Sequence, residues 1–373
     1  MKGLILSITT GQGHNQTAMV LSEAFNQNGI DCRFIDVYKY INPALSTSVN
    51  QLYLMSTKTL PKVYGRMYRM LEKRETPSDI GLKGMDKLTN SILSKKLIKF
   101  LSDEKPDFVI CTHVFSALLM TYVNSISHFD LTTIGVVTDF TVHPYWEDTF
   151  LDYYIIANER LLLQGTKKGF PINKFLPIGI PIDAKFAKKA DKQEMRKELN
   201  IDDKPTILIM SGSMGFGHVI RDIKELDKLE TDFQMVSVCG NNKSLKSKID
   251  SLKLKKKIYN HGFIKNVDQY MDAADIIITK PGGLTTSEAL AKQIPMVINN
   301  PIPGQEDRNS EFLLNNGAAM KISHTYPIDE VIYQFFSDLR VGDRIKTAME
   351  QIAKPNATRD LVDFVMNNVK EKI

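Results

Sequence analysis

The sequence predicts an α/β protein of two domains, each built on a doubly wound parallel sheet. Short apolar strands alternate with segments of helical spacing, which is the pattern of β-α-β units with right-handed crossovers. Turn residues follow the apolar runs. The alternation restarts half-way along the chain, and 373 residues are enough to build two buried cores.

Six apolar runs predict the strands of the first domain. In order they are GLILSI, DCRFIDVY, PDFVICT, TTIGVVTD, YYIIAN and FLPIGIP. The stretch LPIGIPIDAKFAKKADK predicts a linker, because prolines and then charges interrupt the periodicity. We therefore assign residues 1–180 to the first domain and 181–354 to the second.

Five further runs predict strands of the second domain. They are PTILIMSG, FQMVSVCG, KIYNHGF, ADIIITK and PMVIN. In three places along the chain a strand is followed by small residues and a helix start: TTGQGHNQ, SGSMGFGH and KPGGLTTSEAL. Ligands of open α/β sheets bind outside the carboxyl ends of the strands, so these three loops are candidate ligand contacts.

The composition narrows the class of protein. Hydrophobic residues make up 43% and charged residues 24%, which is ordinary for a globular protein and excludes a disordered chain. Cys32, Cys111 and Cys239 lie far apart, so they predict neither a zinc site nor a disulfide framework, and we expect a reducing, cytoplasmic compartment. No apolar run approaches the roughly 18 residues of a spanning helix, and GLILSI is not the core of a signal peptide.

The first glycine loop, TTGQGHNQTA, allows two interpretations. It opens like the G-x-G-x-x-G motif of dinucleotide-binding folds, but Gln16 stands at the third glycine position. Asp36, at the end of the second strand, lies near the spacing of a ribose-binding acid, which keeps a nicotinamide oxidoreductase open. Alternatively, the loop presents His14 to a substrate, since neutral imidazole accepts a proton at cytosolic pH.

Two loops of the second domain have the composition of phosphate contacts. Glycines at the start of a helix let backbone N–H groups approach a phosphate, although a tight turn that binds nothing has the same composition. In the first of these loops the residues are Gly212, Ser213, Met214 and Gly215, and in the second they are Gly282, Gly283, Leu284 and Thr285. Glu288 is either the partner of Thr285 in a capping box or an acceptor for ribose hydroxyls.

A third polar cluster follows the strand PMVIN. Gln305, Glu306 and Asn309 come after a Pro-Ile-Pro-Gly loop and suit either a solvated helix start or a polyhydroxylated sugar. We find no Walker motif and no D-x-D pair, so we expect no metal and no cofactor. The charge of a diphosphate would then be met by backbone amides and helix N-termini.

Residues 58–74 predict a basic amphipathic helix that contacts a membrane. Six basic residues stand there against one acid, and this excess equals the net charge of +5 of the whole chain. Aromatic and basic residues alternate along it: Lys62, Tyr64, Arg66, Tyr68 and Arg69. Such helices bind anionic lipid surfaces, each basic residue contributing about 1 kcal/mol. Nucleic-acid binding would use the same charge, but the sequence contains no recognition motif for it. The structural alternative is a helix that packs on the protein surface, and Gly65 would weaken such a helix.

Four stretches together resemble a known family. GQGHN, TDFTVHPYW, GSMGFGH and the long KPGGLTTSEAL…PMVINNPIPGQEDRN segment resemble the GT-B glycosyltransferases of diacylglycerol, which include bacterial processive diacylglycerol glucosyltransferases and plant monogalactosyldiacylglycerol synthases. The resemblance runs in order from residue 4 to about residue 320. It implies two facing Rossmann-like domains, a UDP-sugar held mainly by the second, a lipid acceptor held by the first, and a C-terminal helix at 355–373 that crosses back.

The resemblance also implies roles for individual residues. His14 matches the base that deprotonates the acceptor hydroxyl, with capping of the following helix as the structural alternative. His143 and Trp146 lie on the acceptor side, although Trp146 could equally be a core residue. For the donor, the two glycine loops match the diphosphate contacts, Phe263 the uracil contact, Glu288 the ribose contact, and Gln305 and Glu306 the sugar contacts.

The predicted function is an inverting transfer of a hexose, with glucose as our expectation, from a UDP-sugar to diacylglycerol at the inner face of the cell membrane. The expected partners are therefore a UDP-hexose, diacylglycerol and anionic lipids, and no nucleic acid. Four alternatives stay open: a GlcNAc transferase acting on lipid-linked muramyl pentapeptide, a UDP-GlcNAc 2-epimerase, the nicotinamide oxidoreductase, and a catalytically inactive membrane-bound sensor of UDP-sugar.

Overall fold

The computed structural model describes residues 1–9, 13–41, 63, 65–66, 70, 92–210 and 218–369. These residues form two compact units, each with a six-stranded parallel sheet. The first unit takes in Met1–Asp183, Pro303–Gln305 and the C-terminal stretch from Asn356, and the second takes in Ala184–Ile302 and Glu306–Pro355. The predicted class of two doubly wound α/β domains is confirmed.

The first sheet has the strand order β2-β1-β3-β4-β5-β6. Its strands are β1 Lys2–Ser7, β2 Asp31–Asp36, β3 Phe108–Cys111, β4 Thr132–Val136, β5 Tyr153–Ile155 and β6 Phe175–Leu176. All neighbours are parallel. The chain leaves β1 for β2 on one side and then crosses to β3 on the other, so the topological switch point lies between β1 and β3.

Five helices accompany this sheet in the described residues. They are α1 Gly13–Gln27, α2 Val37–Ile41, α3 Ile92–Glu104, α4 Val114–Ser127 and α5 Leu162–Lys167. Helix α1 buries Ala18, Leu21 and Phe25, whose spacing forms one apolar face. The Phe25 ring lies 5.1 Å from that of Phe108 on β3, so this face packs the C-terminal part of α1 against the sheet.

The second sheet has the strand order β12-β11-β10-β7-β8-β9. Its strands are β7 Thr206–Met210, β8 Gln234–Val238, β9 Ile258–His261, β10 Ile276–Thr279, β11 Met296–Ile298 and β12 Ala319–Lys321. All neighbours are parallel. Here the direction of winding reverses between β7 and β10, which makes that pair the switch point of the second unit.

Eight helices accompany the second sheet in the described residues. They are α6 Lys192–Glu198, α7 Val219–Leu226, α8 Lys243–Asp250, α9 Val267–Ala273, α10 Gly283–Lys292, α11 Gln305–Asn315, α12 Ile328–Ser337 and α13 Leu339–Ile352. Helix α10 follows β10 and helix α11 follows β11, so both begin at the carboxyl edge of the sheet, where ligands of such sheets bind.

The C-terminal helix α14, Ala357–Asn368, belongs to the first unit. Leu361 and Val365 are fully buried and pack in one cluster with Ile5 of β1 and Leu21 of α1. Thr358 Oγ1 donates a hydrogen bond of 2.6 Å to the carbonyl of Ile182. The helix therefore returns to the first domain, as the resemblance implied.

The predicted membrane helix lies largely outside the described residues, which include neither Lys62, Tyr64, Tyr68 nor Arg69. Val63, Gly65, Arg66 and Met70 are helical, and Val63, Arg66 and Met70 are exposed. Among the helices that the structure describes, we find none with the length and apolar character needed to cross a bilayer.

Candidate active site

Two histidines lie at the switch point of the first sheet. His14 is the second residue of α1, which follows β1, and His113 comes two residues after the end of β3. Their rings meet edge to face, with 4.5 Å between centroids. Loops at the carboxyl ends of two adjacent strands thus bring both imidazoles to the place where an open sheet binds its ligand.

The hydrogen bonds of His14 fix its tautomer. Nδ1 lies 2.9 Å from the carbonyl oxygen of Thr112 and 2.8 Å from Oγ1 of Thr138. A carbonyl can only accept, so Nδ1 carries the proton and donates it to both oxygens. In the neutral ring the lone pair is therefore on Nε2, which is the atom that can take a proton from a substrate.

Burial keeps His14 neutral. Loss of hydration lowers the pKa of His14 to about 4, although the hydrogen bond to Thr112 acts in the opposite direction. The neutral form, which is the form that can accept a proton, therefore prevails near neutral pH, although a pKa this low also makes His14 a weaker base than an ordinary histidine. The structure thus supports the predicted chemistry of His14, whose catalytic role stays a prediction.

The loop between β1 and α1 is held by Asp36 from the end of β2. The Asp36 carboxylate accepts hydrogen bonds from the Thr9 amide, at 3.0 Å, and from the Thr9 hydroxyl, and Asn15 Nδ2 donates to Thr9 Oγ1 at 2.8 Å. The Lys39 amide donates to the other oxygen of Asp36. The acid that a nicotinamide-binding site would use for ribose is thus engaged within the protein itself, which disfavours that alternative.

His113, whose ring contacts that of His14, was not among the residues predicted from the sequence. It caps α4, accepting a hydrogen bond of 3.1 Å from the Phe115 amide at Nδ1, so its proton is on Nε2. Burial, together with the proximity of His14 and His143, holds the pKa of His113 well below its usual range. The signal was present in the sequence, because the histidine in CTHVFS follows its strand as closely as the first glycine loop follows β1.

The two predicted acceptor residues occupy different environments. His143 caps the 3₁₀ turn Pro144–Asp148, where its Nδ1 accepts from the Tyr145 amide at 3.1 Å. Trp146 is only 4% exposed, and its ring meets that of Tyr154 edge to face at 6.1 Å. Trp146 therefore lies in the core, which is the alternative that the sequence left open.

In the second unit, the amino end of α10 offers backbone donors. Gly282 is the N-cap in an extended conformation, and the first helical hydrogen bond runs from the Thr286 amide to the Gly282 carbonyl at 2.9 Å. The amides of Gly283, Leu284 and Thr285 precede this bond and point along the helix axis, where a phosphate binds favourably.

The same helix start excludes the capping box considered for Glu288. A capping box needs Ser or Thr at the N-cap and Glu three residues later. Because Gly282 is the N-cap, Thr285 stands at the third helical position and Glu288 lies nearly a full turn further along. Glu288 is therefore not the reciprocal partner of the cap, and its predicted contact with ribose stays a prediction.

A small cavity of about 20 Å³ lies at the switch point of the second sheet. Met210, Thr279 and Asn299, at or just after the ends of β7, β10 and β11, contribute to its wall, together with Lys280. Lys280 Nζ forms an ion pair of 2.7 Å with Glu306 Oε1. The sequence reasoning did not single out Lys280, because its partner is 26 residues away and no spacing rule connects the two.

The remaining donor predictions fall in three classes. Phe263 follows β9 and is 66% exposed, so its ring is accessible to a planar base. Gln305 is the first residue of α11, and Glu306 beside it is buried. Four predicted phosphate contacts lie outside the described residues: Gly212, Ser213, Met214 and Gly215. Where the structure does describe the chain, no group of three or more His, Cys, Asp or Glu side chains could hold a metal ion.

Comparison with known proteins identifies the family. The model for monogalactosyldiacylglycerol synthase matches residues 14–182, and that for the C-terminal domain of glycosyltransferase family 28 matches residues 206–362. A processive diacylglycerol beta-glucosyltransferase of Bacillus cytotoxicus is 30% identical over 371 residues, covering 98% of this chain and 93% of the relative. The chain belongs to the diacylglycerol glycosyltransferase family.

Solved structures agree with the GT-B fold of this family. MurG from Acinetobacter baumannii matches this glycosyltransferase with a TM-score of 0.65 at 16% identity, over 98% of this chain and all of that one. A UDP-GlcNAc 2-epimerase from Neisseria meningitidis, solved with UDP-GlcNAc, matches with a TM-score of 0.61 at 15% identity, over 99% of this chain and all of that one. At such identities the likeness concerns the fold alone.

Proposed function

We propose that this glycosyltransferase moves a hexose, glucose in the first instance, from a UDP-sugar to diacylglycerol with inversion at the anomeric carbon. The observation that carries the proposal is the neutral His14, whose tautomer leaves Nε2 as the proton acceptor at the switch point of the first sheet. The family relationship supports the lipid acceptor, since the relative from Bacillus cytotoxicus is named for diacylglycerol.

The reaction at the acceptor is a proton transfer coupled to bond formation. His14 Nε2 takes the proton of the free glycerol hydroxyl while that oxygen forms a bond to the anomeric carbon. The bond from the anomeric carbon to the phosphate oxygen breaks on the opposite face, and UDP leaves with the electron pair. A single displacement of this kind inverts the configuration.

The donor half of the reaction places negative charge on the leaving diphosphate. The amides of Gly283, Leu284 and Thr285 are fixed by the helix start, so they can stabilise that charge without reorganising. The exposed ring of Phe263 supports stacking on the uracil, and Glu288 would accept hydrogen bonds from the ribose. We propose that no metal ion is needed, because these donors and the predicted glycine loop meet the charge.

The proposed place of action is the inner face of the cell membrane. Arg66 is helical and exposed within the basic 58–74 segment, whose charge suits anionic headgroups. Peripheral docking by such a segment would bring the enzyme to diacylglycerol, which does not leave the bilayer.

A transfer assay tests the proposal. The enzyme is incubated with vesicles of phosphatidylcholine, anionic lipid and diacylglycerol, together with labelled UDP-glucose, UDP-galactose or UDP-GlcNAc, and the lipid products are separated. We expect a β-linked glucosyl lipid from UDP-glucose. Absence of any glycolipid with all three donors would refute the function, and formation of UDP-N-acetylmannosamine from UDP-GlcNAc would instead favour the epimerase.

A variant of His14 separates an enzyme from a sensor of UDP-sugar. His14→Ala should retain the affinity of the second unit for UDP and lose turnover by about 100-fold or more, the usual contribution of a general base. His324→Ala is a matched control, because His324 is an exposed histidine of the second unit. Equal turnover of the His14 variant and the control would exclude a catalytic role for His14.

A further inference from the structure

Lys280 occupies a special position at the donor side of the second sheet. It follows the last residue of β10 directly, contributes to the wall of the cavity at the switch point, and precedes the N-cap of α10 by two residues. Its side chain is 23% exposed, so the ammonium group is partly screened from water yet reachable. A cation and an open helix N-terminus thus lie at the same end of the same strand.

Glu306 holds this lysine from the interior. One carboxylate oxygen of Glu306 pairs with Lys280 Nζ at 2.7 Å, and the other accepts a hydrogen bond of 2.7 Å from the amide of Ile302. The Glu306 side chain is only 7% exposed. With both oxygens engaged inside the protein, the carboxylate is oriented toward the loop after β10 and holds the ammonium group of Lys280 there.

A second side chain of α11 supports the same loop. Asn309 is fully buried, and its Nδ2 donates a hydrogen bond of 2.9 Å to the carbonyl of Pro281, the residue after Lys280. Pro281 has no amide hydrogen and a restricted φ, so the loop between Lys280 and Gly282 has little freedom. Helix α11 therefore fixes where the ammonium group stands relative to the amides of α10.

We propose that Lys280 binds the diphosphate of the sugar nucleotide and stabilises the charge that develops on it during transfer, and that Glu306 is a positioning residue acting through Lys280. This inference rests on the proposed function and adds a residue to its donor site. The ammonium group donates an N–H to a phosphate oxygen as the bond to the anomeric carbon breaks.

Removal of the positive charge tests the role of Lys280. Lys280→Gln should weaken UDP binding by about 10- to 100-fold, the range for a hydrogen bond to a charged group, and leave uridine binding unchanged. Isothermal calorimetry with UDP and with uridine measures both, and unchanged uridine binding also shows that the second unit is folded. Lys280→Arg keeps the charge and should restore most of the affinity.

Lys228→Gln is the matched control. Lys228 carries the same charge in the same unit, but it follows α7 and its side chain is 68% exposed, paired with Glu225. Its replacement should change neither affinity. Equal UDP affinities of Lys280→Gln, Lys228→Gln and the wild type would overturn the proposal.

Glu306→Gln decides whether the acid acts through the lysine or on the sugar. If it acts through Lys280, the variant weakens UDP and UDP-glucose by a similar factor, and adding it to Lys280→Gln has little further effect. If Glu306 contacts the sugar, as the family resemblance implied, UDP affinity stays at the wild-type value and only UDP-glucose is weakened. That second result would overturn the positioning role.

The same experiments separate this inference from the proposed function. Wild-type enzyme that forms glycolipid while Lys280→Gln turns over normally would overturn the role of Lys280 alone. Wild-type enzyme that binds UDP through Lys280 but forms no glycolipid would refute the proposed function and leave the lysine as a diphosphate contact.

Discussion

The pKa of His14 leads to a prediction about the pH dependence of transfer. An ordinary histidine, with a pKa near 6.5, would keep the neutral form in only about one molecule in eleven at pH 5.5, and a base of this kind would lose about 90% of its rate. Burial lowers the pKa of His14 to about 4. We therefore expect kcat/KM at pH 5.5 to lie within about a factor of two of its value at pH 8.

Folding must be monitored in the same pH range, because protonation of His14 also changes the free energy of unfolding. The lowered pKa of His14 means that acid reduces the stability of the folded protein. The folded protein resists protonation of His14 down to about pH 4, whereas the unfolded chain takes up the proton near pH 6.5. The stabilisation is complete above pH 6.5 and is lost as the pH falls from 6.5 toward 4. His113, whose pKa is also lowered by burial, contributes with the same sign.

The assay uses vesicles of phosphatidylcholine, diacylglycerol and phosphatidylglycerol, an anionic phosphodiester lipid whose headgroup charge changes little over this pH range. Transfer of labelled hexose from UDP-hexose is measured below KM from pH 8 to pH 4.5, with near-UV circular dichroism at each point. His324→Gln should follow the wild-type profile, whereas His14→Gln should retain only a low rate without an acid limb. A wild-type rate that falls tenfold per pH unit from pH 6.5 downward, in protein that is still folded, would refute the reasoning.

Three further predictions concern the first and second units separately. Thr138→Val removes one of two acceptors for His14 Nδ1, so kcat should fall about 2- to 10-fold. Calorimetry should show an unchanged affinity for UDP, and an unchanged kcat would contradict the prediction. Gly135→Ala places a Cβ 2.7 Å from the Trp146 ring, and thermal unfolding should show that the free energy of unfolding falls by about 1 to 3 kcal/mol. An unchanged midpoint would show that the Trp146 ring moves aside without cost. Lys292→Ala leaves the Asp272 carboxylate buried without its partner at 2.5 Å, and urea unfolding should show a loss of about 3 to 5 kcal/mol; a loss below about 1 kcal/mol would contradict a buried pair.

The fold was predictable because burial acts on every strand in the same way. Each strand of a doubly wound sheet is covered on both faces, which gives continuous apolar runs such as TILIM, the whole of β7. Strand ends were less predictable. The run FLPIGIP suggested a longer strand, yet β6 contains only Phe175 and Leu176, because proline at the next position has no amide hydrogen for the ladder.

The site was predictable where one loop carries the chemistry and not where distant segments meet. His14 stands out because it follows a glycine loop after a strand. The capping box of Thr285 and Glu288 was a wrong alternative, since a glycine at the N-cap leaves no side-chain signal of where the helix begins. The contact between His14 and Thr138 joins residues 124 positions apart, which only the folded sheet brings together.

The chemistry of each unit follows from the side chains and helix ends that lie at its switch point. In the first sheet the strand ends bring together two histidines whose pKa values burial lowers, so this switch point holds a neutral group that can accept a proton. In the second sheet they collect a lysine with a buried partner and the amino end of a ten-residue helix, which attract negative charge. The ammonium group of Lys280 has no lone pair, so it cannot accept the proton of an acceptor hydroxyl. This difference in charge is a physical reason to assign the acceptor to the first unit and the donor to the second.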